Sequence, residues 1–153
     1  MNLSIVITTV NKPNKSVKYI SQEIKKKKFN LEIIGDKKSP KIYNLKYGKF
    51  INLKEQKKLP FISSKFCKIN SYTRKNIGYL FAAYYGAEVI LETDDDNIPN
   101  KDFFKNIHLE KKVKEILGDD WENVYLTFLK KKENIWPRGL PLSKIFNKPK
   151  FKN

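Results

Sequence analysis

Near its start the chain carries Leu3-Ser4-Ile5-Val6-Ile7-Thr8-Thr9-Val10, an almost continuous apolar run rich in β-branched residues. Branching at Cβ suits the pleated surface of a sheet, so this run predicts a buried strand. Asn11-Lys12-Pro13-Asn14 breaks the pattern as a loop, and Asn14 or Ser16 can cap a helix extending to about Lys28. Within that stretch Val17, Ile20 and Ile24 recur at helical spacing and leave one apolar stripe on a lysine-rich surface. Leu31-Glu32-Ile33-Ile34 returns to strand character and stops at Gly35-Asp36. Strand, helix and strand in so short a length predict a βαβ unit with a parallel pair, and so an α/β fold.

The middle is less regular. A short strand is expected within Tyr47 to Leu53, and a helical turn from Glu55 to Lys58. Ser71-Tyr72-Thr73-Arg74 opens a helix running to Tyr85, with Gly86 as its stop. Its aromatic and alanine run, Tyr79 to Tyr85, reads as packing against the sheet. Ala87 to Thr93 is the next strand, and Asp94-Asp95-Asp96-Asn97 lies just beyond its carboxyl end. A basic helix from about Leu109 to Leu117, stopped by Gly118, and a strand from Val124 to Phe128 are expected to follow. Pro137, Pro141 and Pro149 predict a largely irregular stretch from Ile135 onward. Neither an internal repeat nor a linker is visible.

A length of 153 residues with 40% hydrophobic and 13% aromatic content is enough for one folded domain. That domain is expected over residues 1–142, with 143–153 as an irregular Lys/Pro-rich tail. No apolar run approaches the ~18 residues of a membrane span. The short apolar run at the N-terminus has no basic segment before it, so no signal peptide is expected. Cys67 stands alone, which excludes an internal disulfide or a zinc cluster and leaves it as a small core or edge residue. These features point to a soluble, cytoplasmic protein.

Charge changes the picture twice. The formal net charge of +16 suits nucleic acid, an anionic membrane surface or a phosphorylated ligand. Yet the basic residues are 30 Lys and 2 Arg, whereas readers of phosphates and bases favour the two-pronged guanidinium. Most of the lysines therefore read as solvated surface. Between Lys75 and Lys101 the chain has no basic residue but holds Glu88, Glu92, Asp94, Asp95 and Asp96. Three adjacent carboxylates repel unless a cation or firm hydrogen bonds compensate, and such hard oxygens suit Mg²⁺ or Mn²⁺ completed by phosphate oxygens. The competing reading is a surface turn whose carboxylates cap the next helix. In open α/β sheets ligands bind beyond the carboxyl ends of the strands, where this triplet is expected.

Five blocks occur in order: Thr8-Thr9-Val10-Asn11-Lys12-Pro13; Ile34-Gly35-Asp36; Ser71-Tyr72-Thr73-Arg74-Lys75-Asn76-Ile77-Gly78-Tyr79-Leu80; Glu92-Thr93-Asp94-Asp95-Asp96-Asn97; and Ile135-Trp136-Pro137-Arg138-Gly139. In combination they resemble the STELLO-type glycosyltransferases. The resemblance implies a GT-A-like (Rossmann-like) fold, a mostly parallel sheet flanked by helices. It also implies a DxD motif that holds a divalent ion, Mn²⁺ or Mg²⁺, against the diphosphate of a nucleotide-sugar, a UDP- or GDP-sugar. Asp94, Asp95 and Asp96 would be the metal ligands. Asp94 and Asp96, with Arg138 on the acceptor side, would be the catalytic set. Thr8, Thr9, Val10 and Asn11 would lie against base and ribose, and Asp36 would accept a hydrogen bond from the base. Arg74 and Lys75, at a helix start where free N–H groups favour anions, would meet base, ribose or diphosphate.

A GT-A enzyme is implied to have an acceptor half, and the segment after Asp96 leaves room only for a reduced one. Glu110, Asp119, Asp120 and Glu122 are its carboxylates, and no spacing selects one as a base; His108 reads as a bystander. The expected activity is metal-assisted transfer of a sugar to a glycan, lipid or protein acceptor, with a peripheral membrane contact served by the lysines and no specific nucleic acid partner. The alternatives are a basic nucleic-acid-binding protein, recognised by affinity that falls steeply with salt, and a domain that binds nucleotide-sugar without transferring it. Neither donor, acceptor nor stereochemical outcome is legible at this stage.

Overall fold

The computed structural model describes residues 2–105, 107, 112–118, 120–129 and 134–152. They fall into two compact units, Met1–Ile107 and His108–Asn153. In the first, four strands form one sheet in the order β3 (Lys49–Ile51), β2 (Asn30–Gly35), β1 (Leu3–Thr9), β4 (Val89–Glu92). Every neighbouring pair is parallel, with Ile5 opposite both Leu31 and Leu91. This is the α/β fold that the βαβ pattern predicts, with the Rossmann-like parallel sheet and flanking helices that the resemblance implies.

Parallel strands must be covered on both faces, and β1 shows why: Leu3, Ser4, Ile5, Val6 and Ile7 are all buried. Helix α1 (Lys15–Lys27) covers one face. Its stripe Val17, Ile20 and Ile24 packs with Leu3, Ile5, Ile7, Leu31, Ile33 and Phe104. Each such side chain contributes about 1.5–3 kcal/mol when fully buried. Asn14 starts α1 by accepting the Val17 N–H at 3.0 Å, and Lys25, Lys26 and Lys27 sit at its negative C-terminal end.

The opposite face takes α4 (Lys75–Tyr84), which follows a 3₁₀ turn at Tyr72–Arg74. Gly78 lets it approach closely, since a Cβ there would lie 2.5 Å from Val6 Cγ1 and 2.8 Å from Ile34 Cγ1. Gly86, at φ 87°, ends the segment. The aromatic run is only partly core: Phe81 and Ala82 are buried, whereas Leu80, Tyr84 and Tyr85 are exposed. Two short helices, α2 (Leu53–Lys57) and α3 (Ile62–Phe66), lie between β3 and the 3₁₀ turn. The turn expected at Glu55–Lys58 is α2, capped by Asn52; α3 had no sequence signal.

In the second unit residues 112–117, the described part of the helix expected to Leu117, are not helical. Residues Glu115–Leu117 make a strand, β5, antiparallel to β6 (Lys150–Lys152). The pairing partner lies more than thirty positions away, and that long-range ladder overrides local preference. β6 also interrupts the tail expected to be irregular, as does a 3₁₀ turn at Leu142–Lys144. Val124–Thr127, expected as strand, is a 3₁₀ turn because the side chain of Asn123 accepts the Tyr125 N–H at 3.2 Å. That asparagine is fully buried and also donates to the carbonyls of Ile135 and Ile145 at 2.8 and 2.7 Å. Residues 109–111 of the expected helix, with His108, Glu110 and Asp119, lie outside the described residues. No helix among the described residues is long and apolar enough to cross a membrane.

One core position works against the fold. Glu32, in β2, is buried; Ser4 donates to its Oε1 at 3.4 Å, and its Oε2 has no hydrogen-bond partner among the described residues. Burial pushes its pKa up to about 7 despite the Ser4 bond and the nearby Lys49. This exceeds the ordinary 4.5, so ionisation costs native stability as pH rises from 4.5 and costs most above 7. Glu32→Gln is therefore expected to melt a few degrees higher than the native chain at pH 8, with the advantage gone near pH 4, in a pH series of thermal melts. Gly78→Ala is expected to cost about 1–3 kcal/mol in denaturant titration, because Val6 and Ile34 have no room to yield.

Candidate functional site

Because the strands are parallel, the ends of β1, β2 and β4 come to one edge of the sheet. There the first unit has a cleft of about 500 Å³, within the usual range for small-molecule sites. Thr8 to Asn11 from β1 and the loop after it, Asp36 and Lys38 after β2, Asn70, Ser71, Tyr72 and Arg74 before α4, and Asp94 to Asp96 after β4 all contribute to its lining. Nearly every residue expected for the site thus meets in one place. Arg138 lies in the second unit, on an exposed loop, and makes no side-chain hydrogen bond or ion pair among the described residues.

The three aspartates have three different environments. Asp95 is turned toward the loop after β1: Thr9 Oγ1 donates to its Oδ2, and Asn11 Nδ2 does so at 3.0 Å. Its backbone carbonyl accepts from Asn14 Nδ2 at 2.6 Å, so the start of α1 and the triplet are joined. Ser16 adds a bond to the carbonyl of Asn97. Asp94 instead meets Lys75, whose Nζ lies 2.7 Å from Asp94 Oδ1 and 2.7 Å from Glu92 Oε1. Asp96 is exposed and makes no side-chain hydrogen bond among the described residues.

Lys75 is 9% exposed at its side chain. Burial works against its charge, but the bonds to Asp94 and Glu92 outweigh that and hold its pKa above the usual lysine value. Glu92 in turn is held below the usual carboxylate value by its bonds to Lys75 and to the Tyr79 hydroxyl, which donates to Oε2. The ammonium of Lys75, a residue that the resemblance assigns to the ligand, is engaged with the acidic island.

On the other side of the cleft Asp36 and Arg74 are also engaged with the protein. Asp36 Oδ1 accepts the backbone N–H groups of Lys37 at 2.7 Å and Asn70 at 3.0 Å, and Oδ2 accepts that of Ser71 at 3.2 Å. Arg74 is buried, and its Nη1 donates to the carbonyls of Cys67 at 2.9 Å and Lys68 at 3.2 Å. Its Nε donates at 3.1 Å to Gln56 Oε1. Gln56, fully buried, passes the connection on by donating to the carbonyls of Gly35 and Ile51, both at 2.7 Å. A lone glutamine among lysines has no sequence pattern to mark it. Cys67 is partly exposed and stands within 3.4 Å of Thr73 Oγ1.

Among the described residues no three His, Cys, Asp or Glu side chains converge as a ready metal cage. The donor set does fit a hard cation of another kind. Asp94 keeps Oδ2 and Asp96 its whole carboxylate, at alternate positions lining the cleft. One or two carboxylates with ligand phosphates and water are the usual set for Mg²⁺. Asp95, committed to Thr9 and Asn11, fits as a brace between them.

No protein-family model matches the chain. Over 92% of its length it is 30% identical to a protein of Arabidopsis thaliana described as probable glycosyltransferase STELLO2. It is 29% identical over the same share to probable glycosyltransferase STELLO1 of that plant. The matched regions are 20% and 19% of those proteins, so the chain spans about a fifth of the length of the curated relatives it matches.

The Lys75 bridge has a defined pH window. Its own contribution stands below pH 10.5 and is lost as pH rises through its raised folded-state value. The Glu92 contribution stands above pH 4.5 and is lost as pH falls through its lowered value. Lys75→Met is expected to lower the melting temperature by roughly 2–5 °C at pH 7. That deficit should shrink toward zero below pH 4.5 and above 10.5 when melts are compared across pH.

Proposed function

We propose that this chain is a member of the STELLO-type glycosyltransferase family that binds a nucleotide-sugar in the cleft at the sheet edge and transfers its sugar to an acceptor with the help of a divalent ion. The observation that carries this reading is the meeting of the β1 end, the Asp36 and Arg74 segments and the aspartate triplet in one cleft, from positions scattered between Thr8 and Asp96. The transferase class is supported by the names of the two relatives. The donor and the ion are the finer part of the proposal, supported by the aspartates that line the cleft.

The division of labour runs along the sheet edge. The diphosphate sits beside β4, where Asp94 and Asp96 hold Mn²⁺ or Mg²⁺. Such an ion, when bound, neutralises the charge that develops on the departing diphosphate. Lys75 keeps Asp94 in place and offsets the mutual repulsion of the triplet in the ligand-free protein. Asp95 ties the triplet to Thr9 and Asn11, so that the metal side and the nucleoside side of the cleft are built as one piece. The ribose lies across the end of β1, and the base on the β2 side, toward Asp36 and Asn70 to Tyr72.

Thermal melts with UDP- and GDP-sugars, with and without Mn²⁺, test this directly. A ligand at a hundred times its Kd stabilises by about 2.7 kcal/mol, so the native chain should gain several degrees only when metal and nucleotide are both present. Asp94→Ala and Asp96→Ala should each remove most of that gain. A native chain with no metal-dependent nucleotide shift would overturn the reading.

A further inference from the structure

On the nucleoside side of the cleft stands an aromatic ring with nothing against it. Tyr72 is 85% exposed and lines the cleft. Its side chain makes no hydrogen bond or ring contact among the described residues. Its backbone is the opposite of loose. Asp36 holds the N–H groups of Asn70 and Ser71, and the Ser71 side chain caps the 3₁₀ turn by accepting the Thr73 N–H at 3.3 Å. Arg74 grips the carbonyls of Cys67 and Lys68 from the other end, and Gln56 anchors Arg74 to the ends of β2 and β3. A large amphipathic side chain displayed on so firmly fixed a mount has no role in the core.

Its place along the sheet edge gives the ring a partner. Asp36 follows β2 and Asp94 lies beyond β4, with β1 between the two strands, so the two sides are two strand spacings apart, about 10 Å. A nucleoside diphosphate held by its phosphates at the β4 side extends its base toward the β2 side. We propose that Tyr72 is the stacking surface for that base, and that Asp36 and Arg74 are positioning residues that hold its loop and do not themselves contact the ligand. The inference rests on the nucleotide-sugar reading of the cleft. It assigns a residue to the planar end of the ligand and gives Asp36 and Arg74 a different task from the one their sequence block implies.

Calorimetric titration with Mn²⁺ present tests it, using UDP and GDP as nucleotides and inorganic pyrophosphate as the base-free probe. Stacking of one base on one aromatic ring corresponds to roughly 5- to 100-fold in affinity. Tyr72→Ala should lose nucleotide affinity within that range, keep pyrophosphate affinity within about twofold, and keep the native melting temperature because the side chain is exposed. Tyr72→Phe should bind within about threefold of the native chain. If Asp36 acts through the Tyr72 loop, Asp36→Asn should weaken nucleotide binding much less in the Tyr72→Ala background than in the native one. Additive losses would overturn the positioning role and return Asp36 to direct base contact. Native-like nucleotide affinity in Tyr72→Ala would overturn the stacking role while leaving the cleft reading intact. A native chain that binds neither probe would remove both.

Discussion

A parallel sheet cannot leave a face to water, and that constraint organises the first unit. β1 is buried on both sides, so α1 must lie on one face and α4 on the other. Parallel neighbours in turn bring the carboxyl ends of β1, β2 and β4 to the same edge. The cleft is the consequence of those two facts. Even Gly78, far from any ligand chemistry, belongs to this constraint, because a bulkier residue would lift α4 off Val6 and Ile34 and shift the 3₁₀ turn and Lys75 that precede it.

The edge also resolves an electrostatic problem. Three consecutive carboxylates repel, and the fold separates their fates. Asp95 is solvated by a hydroxyl and an amide from the β1 loop, Asp94 shares a nearly buried ammonium with Glu92, and Asp96 is left to water. The pair at alternate positions keeps free oxygens, which is why a cation held jointly with phosphate suits the site better than an all-protein cage. The lysine surplus looks secondary beside this. Lys75 is the lysine that the acidic island uses, and it is the residue at which the basic background stops.

Much of the first unit was legible. The β-branched runs marked β1, β2 and β4, the spacing of Val17, Ile20 and Ile24 marked α1, and Asn14 marked its start. The motif blocks also selected the residues that converge in the cleft. What they could not convey was which way each side chain faces. Asp36 and Arg74 look like ligand contacts in sequence because a carboxylate at a strand end and a lone arginine are common ones. In the fold their hydrogen-bonding groups face the 67–71 segment and Gln56. Tyr72, in the same block, carried no separate signal, and its exposure is a property of the folded chain alone.

In the first unit the sequence by itself determined the strands, the principal helices and the order in which they alternate, because hydrophobic period and capping are local properties of the chain. It also located the acidic island, because an interruption of charge is visible in one dimension. Only the tertiary structure decided the partners. Lys75 reaches Asp94 and Glu92 across seventeen or more positions, and Gln56 reaches Arg74 across eighteen. Glu115–Leu117 became a strand through Lys150–Lys152. Each of these is a long-range pairing of polar groups, and a set of hydrogen bonds at about 1 kcal/mol each outweighs the few tenths of a kcal/mol by which ordinary residues differ in local preference.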